Sequence, residues 1–349
     1  MPDRAIGRRA ALLGMTMTGA GARALGAHAS GAHASDAHAS DTSAPGRLTL
    51  VTNWYAQPEL GGFYQAQESG LYRAAGLDVT IRSGGPQVNA MQLLLAGACD
   101  VIVGQPDAAM VAALRGIPVV TIGACFQKCM TGFLTHPDIG GLSDLKGHPL
   151  LISTEGRSTY WPWLKRTYGF TDAQAGVYTY NLQPFVHDPA LAIQSFLSSE
   201  PYAVRQMGVA FKYFLFADAG YPTYTNALLV SRRTLETRAD ALRRFLAASA
   251  RGWLDYLYHD PAAGDAAILR DNPANTTDHM AWSRRTLREV HAMGAPGQML
   301  LGMSAARWAR IHEVVALSGG AAGGAADGAA WRDAYTTALS DALTDTVPA

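Results

Sequence analysis

Short β-type runs alternate with helical runs along this chain, and that alternation constrains its fold more than any other feature. From Arg47 onward, 48–52 reads as a strand, 62–75 as a helix closed by Gly76, and 77–81 as a strand. Residues 88–96 then read as a helix stopped at Gly97, 99–103 as a strand, 106–115 as a helix stopped at Gly116, and 117–124 as a strand. Glycine at each helix end supplies the left-handed residue that terminates a helix. Such β-α-β order closes as a largely parallel sheet with helices packed on it. A further strand is read at 131–136, and a second set of the same kind follows, with strands at 150–153, 177–180, 211–216 and 227–230. Its helices are expected at 160–168 and 189–197, with a short one at 202–207. Beyond Ser231 the pattern is helical, over 234–258, 275–293, 304–317 and 330–343, with a Gly/Ala-rich loop at 319–328.

Two α/β sets and a helical tail predict an α/β, two-lobed architecture. Lobe 1 is expected to comprise 47–135 plus 231–349 and lobe 2 to comprise 136–230, with crossings near His136 and Val230. The tail packs its apolar faces on lobe 1. Open α/β sheets hold ligands at the carboxyl ends of their strands, which places a ligand cleft between the lobes.

Residues 1–46 differ in kind. Arg4, Arg8 and Arg9 precede a short apolar run, 10–22, too short to span a bilayer, which reads as a Tat- or Sec-like export signal. Ala27-His28-Ala29 offers a cleavage site, and no Cys follows the run to carry a lipid. Ala-His-Ala-Ser then occurs three times, at 27–30, 32–35 and 37–40, as a low-complexity spacer. Export to the periplasm is the expectation. The 28 basic and 28 acidic residues cancel, leaving no basic field for nucleic acid. Neither an apolar span nor a polybasic segment implies stable membrane insertion, and a monomer is expected. Cys99, Cys125 and Cys129 read as small buried residues, with a Cys125–Cys129 bridge as the alternative.

Chemistry concentrates at strand ends. After the first strand come Asn53, Trp54, Tyr55, Glu59, Gly61, Gly62, Phe63 and Tyr64. Aromatic faces suit a flat ring, a carboxylate accepts from ring amino groups, and a glycine pair lets backbone approach closely. As core, the same residues would form a strand–helix junction with Glu59 favoured by the helix dipole. Gln87 follows the Gly84-Gly85 turn, whose N–H groups could meet a polar edge. Gln105 follows the third strand, ahead of Asp107 as a helix cap; Gln127 and Lys128 follow the fourth. In the second set, Ser153, Thr154 and Tyr160 open a helix, Asn181 ends a strand and Glu200 begins a helix, with Tyr224 at the return crossing. His136, His148 and His187 are scattered. No nucleophile–base pair, zinc spacing, G-x-S-x-G or P-loop accompanies them, so no catalytic residue, metal or cofactor is expected.

The order of these motifs resembles a type II periplasmic substrate-binding protein of the thiamine-pyrimidine/sulfonate-type family. The resemblance is carried by Asn53-Trp54-Tyr55, Glu59-Leu60-Gly61-Gly62-Phe63-Tyr64, Gly70-Leu71-Tyr72 and Gly76-Leu77-Asp78-Val79. Leu95-Ala96-Gly97 with Asp100, Gly116-Ile117-Pro118-Val119, Leu142-Ser143-Asp144-Leu145-Lys146-Gly147 and Ser199-Glu200-Pro201-Tyr202 continue it, from Arg47 to about Arg270. It implies the type II binding-protein fold, delivery of a small molecule to an ABC importer permease by lobe closure, and a thiamine-type pyrimidine precursor as ligand. Sulfonate, taurine or nitrate binding is the alternative. Another alternative is a pyrimidine-forming synthase that uses its own His and pyridoxal phosphate. That enzyme's cysteine-rich run is not matched by Cys125-Phe126-Gln127-Lys128-Cys129.

Overall fold

The computed structural model describes residues 46–317 and 329–349. The expected export signal, the histidine-bearing spacer and the expected 319–328 loop lie outside the described residues, apart from Gly46. The first set comprises β1 (Arg47–Val51), α1 (Gly61–Glu68), α2 (Leu71–Ala74), β2 (Asp78–Arg82), α3 (Ala90–Leu95), β3 (Val101–Gly104), α4 (Pro106–Leu114) and β4 (Val119–Phe126). The second comprises β5 (Thr131–Thr135), β6 (Leu150–Ile152), α5 (Thr154–Ser158), α6 (Tyr160–Tyr168), β7 (Ala175–Val177), α7 (Gln183–His187), β8 (Ala192–Phe196), α8 (Glu200–Gln206) and β9 (Lys212–Leu215). Then come β10 (Thr225–Ser231), α9 (Arg232–Tyr258), α10 (Ala262–Asp271), α11 (Thr277–Glu289) and α12 (Ala305–Leu317). Gly76, Gly97 and Gly116 close their helices with φ of 69°, 71° and 71°, the conformation expected of them.

Two five-stranded sheets result, in the orders β2-β1-β3-β10-β4 and β7-β6-β8-β5-β9. Each is parallel except for one strand, β10 in the first and β5 in the second. These two strands are the first that the chain forms after each passage between sheets. Both were assigned by sequence to the opposite lobe, and the structure moves them. The outward crossing is therefore 127–130 rather than near His136, and the return is 216–224 rather than near Val230. An apolar β run reads alike whichever sheet receives it, so periodicity cannot place it. Thr225 ties the two crossings together: its Oγ1 donates to Lys128 O at 2.9 Å and accepts from Met130 N at 3.1 Å.

Three further expectations are corrected. Residues 189–197 form no helix; β8 lies between β6 and β5, with Ala192, Ile193 and Ser195 buried. A short apolar run fits either element by pattern. The strand expected at 177–180 ends at Val177, which leaves Tyr178 to Tyr180 beyond its carboxyl end. The last expected helix, 330–343, is two 3-10 turns, Ala329–Ala334 and Ser340–Ala342. Between them Tyr335 bridges Thr121, and Thr336 N donates to Thr121 O at 2.9 Å. This segment covers β4, the edge strand of the first sheet.

The tail packs on the first lobe. Phe63 of α1, Phe126 of β4, and Trp253 and Tyr256 of α9 share one core cluster with Met280 and Leu287 of α11. A Cβ on Gly61 would lie 2.1 Å from Tyr256 Cε1, and one on Gly62 would lie 2.2 Å from Trp253 Cδ2. The glycine pair is thus where α9 presses against α1. Helix α9 bends at Arg238, whose Nη1 reaches Asp100 Oδ1 at 2.5 Å while Asp100 Oδ2 accepts from Thr49 N at 2.7 Å. All three cysteines are free and buried. Among the described residues, no helix is long and apolar enough to cross a membrane.

Candidate functional site

The first-lobe wall begins where β1 ends. Thr52 Oγ1 donates to Trp54 O at 2.6 Å and accepts from Gly84 N at 3.0 Å, which fixes the segment that carries Trp54 and Tyr55. Gly84 N also donates to Trp54 O, so this N–H is spent inside the protein rather than offered to a ligand. A Cβ on Gly85 would lie 2.9 Å from the Tyr55 ring, so the turn backs that side chain.

From the second lobe, the segment after β7 brings Tyr180 to meet Trp54, ring centroids 4.5 Å apart. Tyr55 stands edge-on to Trp54 at 5.5 Å and Tyr178 lies 4.9 Å from Tyr180. Four aromatic rings therefore cross the cleft in a row. Tyr180 holds a left-handed backbone, φ 62°, and its ring remains exposed. A tyrosine in that conformation costs backbone strain, which the surrounding structure must hold.

Four carboxyls accompany the rings. Glu59 is buried at the amino end of α1; its Oε1 accepts from Ser198 Oγ of the second lobe at 2.5 Å, and its Oε2 has no hydrogen-bond partner. Burial is the main cause that pushes its carboxyl up to about 7, and the negative charge of Glu200 adds to it. Asp107, buried in the first turn of α4, accepts from Tyr221 Oη at 2.6 Å and from Ala108 N at 2.9 Å. Burial raises it as well. Glu200 opens α8, accepts from Phe196 N at 2.8 Å, and is raised by burial. Glu155, in α5, is exposed, and desolvation and then the charge of Asp107 raise its carboxyl. Tyr178 Oη donates to Glu200 Oε1 at 3.4 Å, which joins that acid to the row of rings, and the charges of Glu155 and Glu200 both raise the Tyr180 hydroxyl. Among the described residues, none of the four forms an ion pair.

The expected site residues divide by placement. Trp54, Tyr55, Glu59, Glu200 and Ser153 belong to this space; Ser153 caps α5 through Gly156 N at 3.0 Å and lies within reach of the Tyr180 hydroxyl. Thr154 is exposed at the start of α5, while Tyr160 lies buried behind it, its hydroxyl on Gln194. Asn53 donates to Asn226 Oδ1 at 3.0 Å, and Asn226 donates on to Glu59 O at 2.9 Å, so Asn53 acts through Glu59's backbone. Gln105 is half-buried at the N-cap of α4, and Gln87 is exposed. Asn181 caps the turn at Gln183 N, 3.0 Å away.

The others face elsewhere. Gly61, Gly62, Phe63 and Tyr64 are buried under the tail, with Tyr64 Oη 3.0 Å from Ser83 Oγ. Gln127 donates to Gly302 O at 2.9 Å and accepts from Gln298 Nε2 at 3.1 Å. Tyr224 accepts from Ser304 N at 3.0 Å beneath the Arg307 guanidinium. Both join the crossings to the tail beside a separate cavity of about 220 Å³. Sequence reasoning missed Asp107, Glu155, Tyr178, Tyr180 and Ser198. The first four carry a signal, an acid or aromatic just past a strand, which Asp107 shares with helix capping; Ser198 carries none.

Comparison with known proteins followed this geometry. The family model described as NMT1/THI5 like matches residues 57–263. The riboflavin-binding protein RibY of Chloroflexus aurantiacus is 21% identical over 260 residues, 70% of this chain and 71% of that protein. The formylaminopyrimidine-binding protein of Halalkalibacterium halodurans is 24% identical over 240 residues, 65% and 71% respectively. The 4-amino-5-hydroxymethyl-2-methylpyrimidine phosphate synthase of Aspergillus parasiticus is 27% identical over 128 residues, 36% of this chain and 37% of the enzyme. Among solved structures, the periplasmic aliphatic sulphonate-binding protein SsuA of Escherichia coli superposes with a TM-score of 0.59 at 14% identity, over 78% of this chain and 87% of that one. The fold is that of the periplasmic binding proteins.

Proposed function

Because its family model covers more than half the chain, this protein belongs to the NMT1/THI5-like family, and we propose that it is the extracytoplasmic solute-binding component of an ABC importer. Its ligand on this reading is a small nitrogen heterocycle, such as a thiamine-type pyrimidine precursor, held by closure of the two lobes. The observation that carries the proposal is the pairing of Trp54 and Tyr180 across the cleft beside the orphaned Oε2 of Glu59. A ring entering between Trp54 and Tyr180 replaces their mutual contact with two stacking contacts. A ring amino group would give Glu59 Oε2 the donor that it lacks, and a buried acceptor without a donor is costly. A sulfonate would bring only further acceptors to that atom.

The relatives named for riboflavin and formylaminopyrimidine binding support a heterocycle, and the export signal supports delivery from outside the cytoplasm. The two crossings at 127–130 and 216–224 provide the hinge, and the 127–130 residues are stitched by Thr225. Binding rather than catalysis is the proposed role. Calorimetric titration against pyrimidines, flavins, alkanesulfonates and nitrate tests the ligand class; saturation by a heterocycle alone is expected. Micromolar sulfonate binding without heterocycle binding would leave the transport role and remove the ring. Turnover of the purified protein with pyridoxal phosphate would instead place it with the synthases.

A further inference from the structure

We propose that the cleft takes a ligand carrying a positive charge, because Glu59 and Asp107 of one lobe and Glu155 and Glu200 of the other follow the carboxyl ends of their strands with no ion-pair partner among the described residues. The inference rests on the ring-binding reading and narrows it to cationic members of that class.

Elsewhere this chain pairs the acids that it buries. Asp100 meets Arg238 at 2.5 Å, with side-chain exposures of 15% and 14%. Asp265 lies against Arg284, at 19% and 11%. Those pairs hold the tail in place and have no ligand to meet. In the cleft the rule is broken three times. Glu59 and Asp107 are 6% and 4% exposed, Glu200 is half-buried, and none of the cleft acids has an arginine or lysine partner among the described residues. The charges that they feel are one another's: Glu200 acts on Glu59, and Asp107 on Glu155. Like charges gathered in a protein interior are unfavourable until an opposite charge arrives. The unpartnered Oε2 of Glu59 shows independently that the site's hydrogen bonding is incomplete.

The rings point the same way. Tyr180 lies 4.5 Å from Trp54 and 4.9 Å from Tyr178 along the row, and Trp and Tyr faces attract cations as well as stack on rings. Aromatic faces edged with carboxylates suit an ammonium, an amidinium or a protonated aminoheterocycle. An anionic phosphate ester would face four acids.

The test is calorimetric titration with three ligands that share a 4-aminopyrimidine ring. At ring carbon 5 they carry an aminomethyl, a hydroxymethyl or a phosphorylated hydroxymethyl group, making a cation, a neutral molecule and an anion. The cation is expected to bind at least about tenfold tighter than the neutral ligand, and the anion not at all; raising salt from about 50 to 500 mM should narrow the gap. The Asp107→Asn/Glu155→Gln double variant, checked for a native circular dichroism spectrum, should bring the cation's affinity down toward that of the neutral ligand. Equal or tighter binding of the neutral ligand or the anion overturns the charge inference and leaves the ring reading standing. If no pyrimidine binds, the ring reading has failed, and tetramethylammonium chloride then decides the charge by itself. Saturable binding supports a cation site, and its absence overturns one.

Discussion

Replacing Glu59 by Gln should stabilise the protein at pH 8 while removing ligand affinity. The Glu59 carboxyl moves from its ordinary 4.5 to about 7 in the fold, chiefly through burial. Between those values the folded chain keeps a proton that the unfolded chain has released. Stability from this group is therefore complete below about pH 4.5 and lost as pH rises through about 7, a swing of about 3 kcal/mol. Gln carries no charge, so the variant escapes that loss. Its Oε1 can still accept from Ser198, but its amide nitrogen enters the position where Oε2 has no partner, at a cost of about 1 kcal/mol. A net gain of about 2 kcal/mol at pH 8 and a net loss of about 1 kcal/mol at pH 4.5 follow. Urea unfolding of both proteins at pH 4.5, 6 and 8, followed by tryptophan fluorescence, measures the difference profile, in which the other raised carboxyls cancel. Parallel profiles, or a variant weaker at pH 8 than at pH 4.5, would refute the reasoning. A stabilising change that abolishes binding identifies a residue held strained for function.

Other perturbations test the frame around the site. Gly62→Ala would drive a methyl into the fully buried Trp253 ring, with Cβ 2.2 Å from Cδ2; a loss of about 3 kcal/mol in urea is expected, with unchanged affinity in the folded fraction. Arg238→Ala leaves Asp100 buried without its partner and should cost about 3 kcal/mol, little altered by salt because both side chains are mostly covered. Cys99, Cys125 and Cys129 are buried and burial raises all three thiols, so a thiol reagent should label none in the native protein and three after denaturation.

Much of the frame was legible in the sequence because local rules carried it. Glycine stops and alternating β and helical runs fixed the first-lobe elements to within a few residues. What periodicity could not carry was long-range choice: whether β5 and β10 join one sheet or the other depends on partners far away in the chain. Residues 189–197 show the same limit, since a short apolar run becomes the inner strand β8 only because β6 and β5 flank it.

The site was legible by position and less so by direction. Trp54 and Glu59 stood at a strand end and face the cleft. Gly61, Gly62 and Phe63 belonged to the same motif but pack against α9, where Tyr256 and Trp253 fill the space that side chains on the glycines would need. Gln127 follows β4 and Tyr224 lies at the return crossing, yet their hydrogen bonds run to the tail, whose return path no local pattern announces. Asp107 was assigned to helix capping, and it does accept from Ala108 N; its second bond, to Tyr221, comes from 114 residues away.

Titration of the wild-type protein and Trp54→Ala with a 4-aminopyrimidine ligand tests the central claim most directly. Trp54 is half-buried and spends its ring face on Tyr180, so its removal should leave cooperative unfolding intact. Saturable one-to-one binding is expected in the wild type, weakened by about 10- to 100-fold in the variant, as the loss of one stacking face implies. Unchanged affinity in a folded Trp54→Ala protein, or saturation by an alkanesulfonate where no heterocycle binds, would contradict the account.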